Sequence, residues 1–443
     1  MLPMISFFQR LPRLLGNAWH GYKSAIHFKN DLRDIFVRHD DRHAVLDGVR
    51  AITILLMVMF HVMFGIVLLL KKNDVAYMDA FITEFPRYLG WFWQSQGSDP
   101  LFILCGLLVS MALFREYEKN RRLAIGDFYI RRLMRVLPLF LLAVLLLLPS
   151  DSDNLGFLWS NLLFISNQVP HRRPIVPVGW SLEVQMQFYV LLPFFILLLY
   201  AIRWRITFLV VVILASFAWR YWQVAQNPII YETPFYQVLY DKEFASLLAT
   251  TLYYDIDVRI GSFLLGILVA YVYQYYAVPI KAFLSRHLFI NALLIVMSIA
   301  LIVVSVAIPI ENQHSWYYEN YNPQYGKWFL AFDRYAYCLG LSLLVFLAMC
   351  PVGISKAVSW FLSLRIWYPV AQLIFSIYLF HFIFILLGAI CTFQTLDRHS
   401  IVHVETYQVF VIFFWTVLFT LAFSVFAHIY VEKPFLTLRK LKP

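Results

Sequence analysis

Residues 46–61 read LDGVRAITILLMVMFH, and the apolar run they open continues to Leu70 without a carboxylate, lysine or arginine after Arg50. About 20 helical residues at 1.5 Å each cover about 30 Å, the thickness of a bilayer's hydrocarbon core. Comparable runs recur near 92–114, 133–149, 181–201, 206–222, 260–278, 288–309, 328–350, 368–393 and 407–430. Lipid offers a backbone no hydrogen-bond partner, and these runs are too long for barrel strands. The expected fold class is therefore all-α: a polytopic, multi-pass integral membrane protein with about ten transmembrane helices. Composition agrees, since 61% of the 443 residues are apolar, 14% are charged and mean hydropathy is +0.69. No soluble core could hold that much apolar surface.

Lysine and arginine set the expected orientation, because basic flanks stay on the cytoplasmic side. The amino-terminal arm, the even-numbered connections and the tail carry 25 of the 36 Lys and Arg, against 8 in the alternate connections. Both termini are thus expected in the cytoplasm. The net charge of +10 reflects this asymmetry and attraction to anionic lipid, and implies no nucleic acid partner. The reading divides the chain into a cytoplasmic arm (1–45), a transmembrane domain (46–436) and a basic tail (437–443). Phe7, Phe8, Arg10, Leu11, Arg13, Leu14, Leu15, Trp19, Tyr22 and Lys23 alternate as in an amphipathic interfacial helix, with a partly disordered leader as the alternative. The arm has no apolar core long enough for a secretory signal. Cys105, Cys338, Cys350 and Cys391 have no ligand spacing, so no metal is expected. No long-period repeat stands out.

Polar residues that lipid makes costly carry the functional signal. Asp47 and Arg50 stand at the mouth of the first run, and His61 follows eleven positions later. That spacing is about 16 Å along a helix with about 20° of rotation, so Arg50 and His61 share a face. The plainer alternative makes Arg50 a headgroup anchor and His61 an interhelical hydrogen-bonder. Imidazole is nonetheless the side chain suited to take a hydroxyl proton near neutral pH, or to carry an acyl group as a nucleophile.

Residues 115–135 hold seven Lys or Arg and end in FYIRRLMRVLP. Arg132 and Arg135 are one turn apart, so two guanidinium groups can converge on one phosphate-bearing ligand such as a coenzyme A thioester. VGWSLEVQMQFYVLLP opens the fourth run with Trp180, Ser181, Glu183, Gln185, Gln187 and Tyr189. Trp and Tyr suit an interfacial belt, but a carboxylate and two amides need partners on neighbouring helices. Glu183 and Gln187 face one way and Gln185 roughly the other. FSIYLFHF places Ser376, Tyr378 and His381 inside the ninth run, where either a structural bond between helices or a catalytic role fits His381.

Together LDGVR with His61, LFILCGLLVS, RRLMRVLP, WSLEVQMQFYVLLP, RIGSFLLGILVAY, FSIYLFHF and YVEKPF resemble the acyltransferase-3 membrane acyltransferases over residues 45–436. Members of that family move an acyl group, often acetyl, onto envelope or extracellular carbohydrates. The resemblance implies that Arg50 and His61 belong to the active centre and that Arg132 and Arg135 bind the donor. It also implies acyl-CoA, typically acetyl-CoA, as donor substrate with no bound cofactor, and a carbohydrate acceptor. The expected location is the cell (inner) membrane. The family usually has Ser-Gly where this chain has Cys105-Gly106, and Glu where it has Gln185. The first change is mild; the second removes a charge, and Glu183, turned by about 200°, is poorly aimed to replace it. The chain stops just after YVEKPF, so it resembles the kind without an extracytoplasmic hydrolase-like domain.

The expected chemistry brings the thioester to His61, which acts as general base for an acceptor hydroxyl or carries the acyl group itself. Two other readings stand beside it. Buried His and Arg also suit a transporter or flippase for a lipid-linked sugar, and Gln185 also suits a non-catalytic relative in glycan assembly. The connections near 150–179, 223–258 and 310–327 are rich in Trp, Tyr, Asn, Gln and Pro, as sugar-binding surfaces and membrane-interface loops both are. His171, Arg172 and Arg173 could meet an anionic glycan or lipid headgroups.

Overall fold

The computed structural model describes residues 26–40, 44–73, 75–84, 87–93, 97–150, 153–169 and 174–438. Among these residues the regular structure is helical, and ten helices are long and apolar enough to cross a membrane. They are α1 (Ala44–Asn73), α2 (Asp99–Asn120), α3 (Ile125–Leu147), α4 (Gly179–Ala201), α5 (Arg205–Gln226), α6 (Ile260–Arg286), α7 (Leu288–Ala307), α8 (Pro323–Met349), α9 (Ile374–Phe393) and α10 (Thr406–Ala427). Ten crossings bring the start of α1 and the end of α10 to the same end of the bundle, the terminal end. The amphipathic segment expected at 7–23 and the basic triplet His171–Arg173 lie outside the described residues.

Three boundaries differ from the hydropathy reading. Trp91 and Trp93 fall in a separate short helix, Arg87–Trp93, and α2 begins only at Asp99. Gly97 turns the chain at φ +23° and Pro100 occupies the first helical turn, where its missing N–H has no bond to lose. Helix α3 starts at Ile125, so Arg132 and Arg135 are helical residues rather than part of the preceding loop. The ninth run is interrupted at Leu373, which separates the short helix Trp367–Gln372 from α9.

Without a hydrophobic drive between helices in lipid, packing relies on small residues that let backbones approach. The most extensive helix pair, α2 with α6, crosses at Gly106 and Gly266. A Cβ on Gly106 would overlap the Phe263 carbonyl oxygen, and one on Gly266 would overlap that of Ile103. Around this crossing, buried side chains of α2, α4, α5, α6, α7 and α8 form one core. A second core joins α1, α3, α9 and α10. Asp47, Arg50, His61, Arg132, Arg135 and His381 stand on helices of the second core, and the polar start of α4 stands on a helix of the first.

Ion pairs close the terminal end. Lys433, just beyond α10, bonds Asp31 at 2.6 Å and Asp34 at 2.8 Å on the short helix Phe28–Phe36. Its hydrogen bond holds the Asp34 carboxyl below the usual carboxylate range. A π-helical turn, His428–Glu432, leads into Lys433, with His428 Nδ1 2.7 Å from Glu432 Oε2.

The crossing supplies a prediction. Gly106→Val should lower the thermal stability of the detergent-purified protein by about 1–3 kcal/mol, the usual penalty for overpacking. Gly126→Ala, where an added Cβ meets nothing within 4 Å, should leave the melting temperature unchanged.

Candidate active site

Asp47, Arg50 and His61 lie on α1, with the first two at the terminal end. The Asp47 carboxylate sits between two guanidinium groups, 3.2 Å from Arg50 Nη1 and 3.3 Å from Arg38 Nε. Arg38 also donates to the Ser363 carbonyl at 2.8 Å, so the arm preceding α1 is fastened to Asp47. Arg135 of α3 comes near enough for its charge to act on Arg50. Arg132, one turn before it, stacks its guanidinium over Phe128 at 5.5 Å and over Tyr189 at 5.3 Å. Its buried Nε has no hydrogen-bond partner among the described residues. The terminal end therefore gathers Arg50, Arg132 and Arg135 around one region.

Tyr189 joins that region to α2. Its hydroxyl accepts from Gln185 Nε2 at 2.5 Å and from Cys105 Sγ at 3.4 Å. Gln185 thus points toward the arginines and does not line the cavity described next. Other polar side chains at the start of α4 find partners on neighbouring segments. Glu183, 1% exposed, accepts from Ser166 Oγ at 2.5 Å and from the Asn167 backbone N–H at 2.8 Å. Gln187 donates to Asn167 Oδ1 at 2.7 Å. Ser181 Oγ and the Tyr378 hydroxyl are 2.8 Å apart, and Tyr378 donates to the Val178 carbonyl at 2.5 Å, pinning α9 to α4. Both faces of α4 are satisfied, which the sequence requires without naming the partners.

His61 on α1 meets His381 on α9, both helices of the second core. His381 Nε2 is 3.1 Å from His61 Nδ1, with ring centroids 4.9 Å apart. His381 is fully buried, whereas His61 faces a cavity of about 360 Å³. Phe60, Phe64, Trp93, Trp180 and Phe382 share its wall, and Phe60 and Phe382 pack edgewise on the His61 ring. The rest of the lining comes from connections and helix ends remote from the terminal end, among them Tyr236, Tyr253 and Glu311. His61 is therefore the boundary between a basic region and an aromatic chamber.

A cluster without an assigned sequence-level role backs that chamber. Asp99, 1% exposed, receives Arg259 Nη1 at 2.7 Å, Arg334 Nη1 at 2.8 Å and Ser262 Oγ at 2.7 Å. Arg259 lies over Tyr253 at 4.3 Å and Trp180 at 5.5 Å, so the ion cluster fixes two aromatic walls. Arg220 donates to the carbonyls of Leu330 and Leu252. Charges at the ends of apolar runs were the available signal; their convergence from α2, α5, α6 and α8 was not.

Residues 43–429 match the acyltransferase domain of the acyltransferase-3 family, and the chain belongs to that family. It is 24% identical over 304 residues to proteins named O-acetyltransferase OatA from Staphylococcus aureus strains NCTC 8325 / PS 47, COL and MRSA252. The alignment covers 65% of this chain and 45% of each relative, so the chain spans about half the length of the curated relatives it matches. No solved structure matches.

Asp99→Asn would leave two guanidinium groups buried against a neutral amide. Removing one partner of a buried ion pair typically costs about 3–5 kcal/mol, so a large drop in melting temperature or yield is expected in detergent.

Proposed function

We propose that this member of the acyltransferase-3 family is a membrane O-acyltransferase that moves an acyl group, acetyl in the first instance, from cytoplasmic acyl-CoA to a hydroxyl of an envelope carbohydrate. One observation carries the reading: His61 stands between the arginines at the terminal end and the aromatic cavity beyond it. The Lys and Arg bias supports a cytoplasmic terminal end, in the inner membrane of the cell. The names of the OatA relatives support acetyl transfer.

In this scheme the phosphates of the donor meet Arg132 and Arg135, with Arg50 beside the thioester arm. Guanidinium groups suit phosphate because they offer paired donors and stay charged. Asp47 holds Arg50 against the repulsion of Arg135. An acceptor hydroxyl arrives through the cavity, where Trp180 and the other aromatic walls offer flat apolar faces to a sugar ring. His61 takes the hydroxyl proton while the oxygen attacks the thioester carbonyl; the C–S bond breaks, and the coenzyme A thiolate leaves and recovers the proton. The alternative route has His61 attack first, release coenzyme A, and pass the acyl group to the acceptor. Both routes give the same ester and free thiol.

Two outcomes test the reading. Envelope glycans from cells carrying the wild-type gene should show an acyl mass increment that is missing after gene deletion and with His61→Ala, while the variant still inserts and accumulates. A general base supplies about 10²–10⁴ in rate, so residual transfer should be at most about 1%. In proteoliposomes with acetyl-CoA, Arg132→Ala should raise the donor KM about ten- to a hundredfold, as expected for one charge-assisted contact of about 1.5–3 kcal/mol. A fully active His61→Ala protein would overturn the assignment.

A further inference from the structure

We infer that His381 is a positioning residue that fixes the tautomer of His61, so that the lone pair offered to the cavity is the one on His61 Nε2. The chain of bonds begins at a carbonyl, which can only accept. His381 Nδ1 lies 2.9 Å from the Ile377 carbonyl oxygen, one turn earlier on α9. Nδ1 must therefore carry a hydrogen, and in neutral imidazole the other nitrogen, Nε2, is then an acceptor. That acceptor is 3.1 Å from His61 Nδ1, so the hydrogen between the rings belongs to His61 Nδ1. The Met57 carbonyl, one turn before His61, adds a second acceptor against the same ring. With Nδ1 protonated, His61 Nε2 has a free lone pair, and His61 lines the cavity.

The further backbone contact of His381, with Tyr378, is again with an acceptor. His381 is 0% exposed, and the groups packed about the two rings are Phe60 and Phe382. No carboxylate is recorded against either imidazole among the described residues. The support differs from an Asp-His pair: His381 contributes no negative charge, only an acceptor of fixed direction. A hydroxyl proton taken by His61 lands on Nε2 and the acceptor oxygen is left to attack. If His61 itself attacks, the new N–C bond forms at Nε2 as the thioester C–S bond breaks, and the coenzyme A thiolate departs.

The inference rests on the acyl-transfer reading for its kinetic consequence but not for its structural one. The experiment compares wild type, His381→Gln and His381→Phe in nanodiscs. Glutamine can set a side-chain oxygen where His381 Nε2 accepts; phenylalanine keeps the bulk and removes the acceptor. Histidine ¹⁵N NMR, with the His61 signals assigned by their loss in His61→Gln, reads the tautomer without any substrate. Wild type and His381→Gln should show His61 with Nδ1 protonated and Nε2 bare, and His381→Phe a mixture. With acetyl-CoA as donor and envelope glycan as acceptor, His381→Phe should lose about 10²-fold in kcat with both KM values within about threefold, the range seen when a residue behind a functional histidine is removed. His381→Gln should recover to within about tenfold of wild type. A wild-type His61 protonated at Nε2 would overturn the inference even if His381→Phe fails to fold, as would full activity in His381→Phe. Absence of transfer by wild type, with the Nδ1–H tautomer present, would reject the acyltransferase reading and leave the dyad standing.

Discussion

A polar group in hydrocarbon can bond only to protein, and that constraint arranges this molecule. Asp99 is the clearest case, a carboxylate with no access to water that is made tolerable by Arg259, Arg334 and Ser262. Its three partners come from α8, from α6 and from the residue that precedes α6, so satisfying one charge sets how three elements meet. The same arginines lie over Tyr253, and Arg259 over Trp180 as well, which carries the order of the ion cluster into the wall of the cavity. Arg220 and Arg334 line the same cavity, so the charges both order its aromatic wall and face it.

The terminal end works differently. Arg135 repels Arg50, and the carboxylate beside Arg50, Asp47, is shared with Arg38. Cation–π stacking on Phe128 and Tyr189 supports Arg132 instead, and its Nε has no hydrogen-bond partner among the described residues. Arginines thus gather at the terminal end and again around Asp99, with His61 between the two groups. Cys105 and Gln185, the positions expected from the resemblance to depart from the family pattern, both bond the Tyr189 hydroxyl under Arg132. They are one local environment rather than two separate changes.

Much of this was legible in the sequence because the hydrocarbon core imposes a length. Ten apolar runs give ten helices, and a spacing of eleven positions from Arg50 to His61 places both on one stripe of α1 whatever the bundle does. The family pattern is equally a property of ordered motifs along the chain. Errors arose where local chemistry overrides hydropathy: Trp91 and Trp93 are apolar enough to extend α2, but Gly97 and Pro100 start the helix later.

Sequence could not say who meets whom between helices. His61 and His381 are 320 positions apart, Asp99 and Arg334 are 235 apart, and periodicity along one helix carries no information about rotation against another. Those choices were made by Gly106 and Gly266 closing α2 on α6, by Tyr378 pinning α9 to α4, and by the requirement that each buried charge find its counterion. The sequence by itself determined the number of spans, the stripe on α1 and the chemical types at hand. Tertiary structure alone decided that one histidine would orient another and that Gln185 would turn to the arginines, because close packing and desolvation act between helices and leave no trace in the order of residues along any one of them.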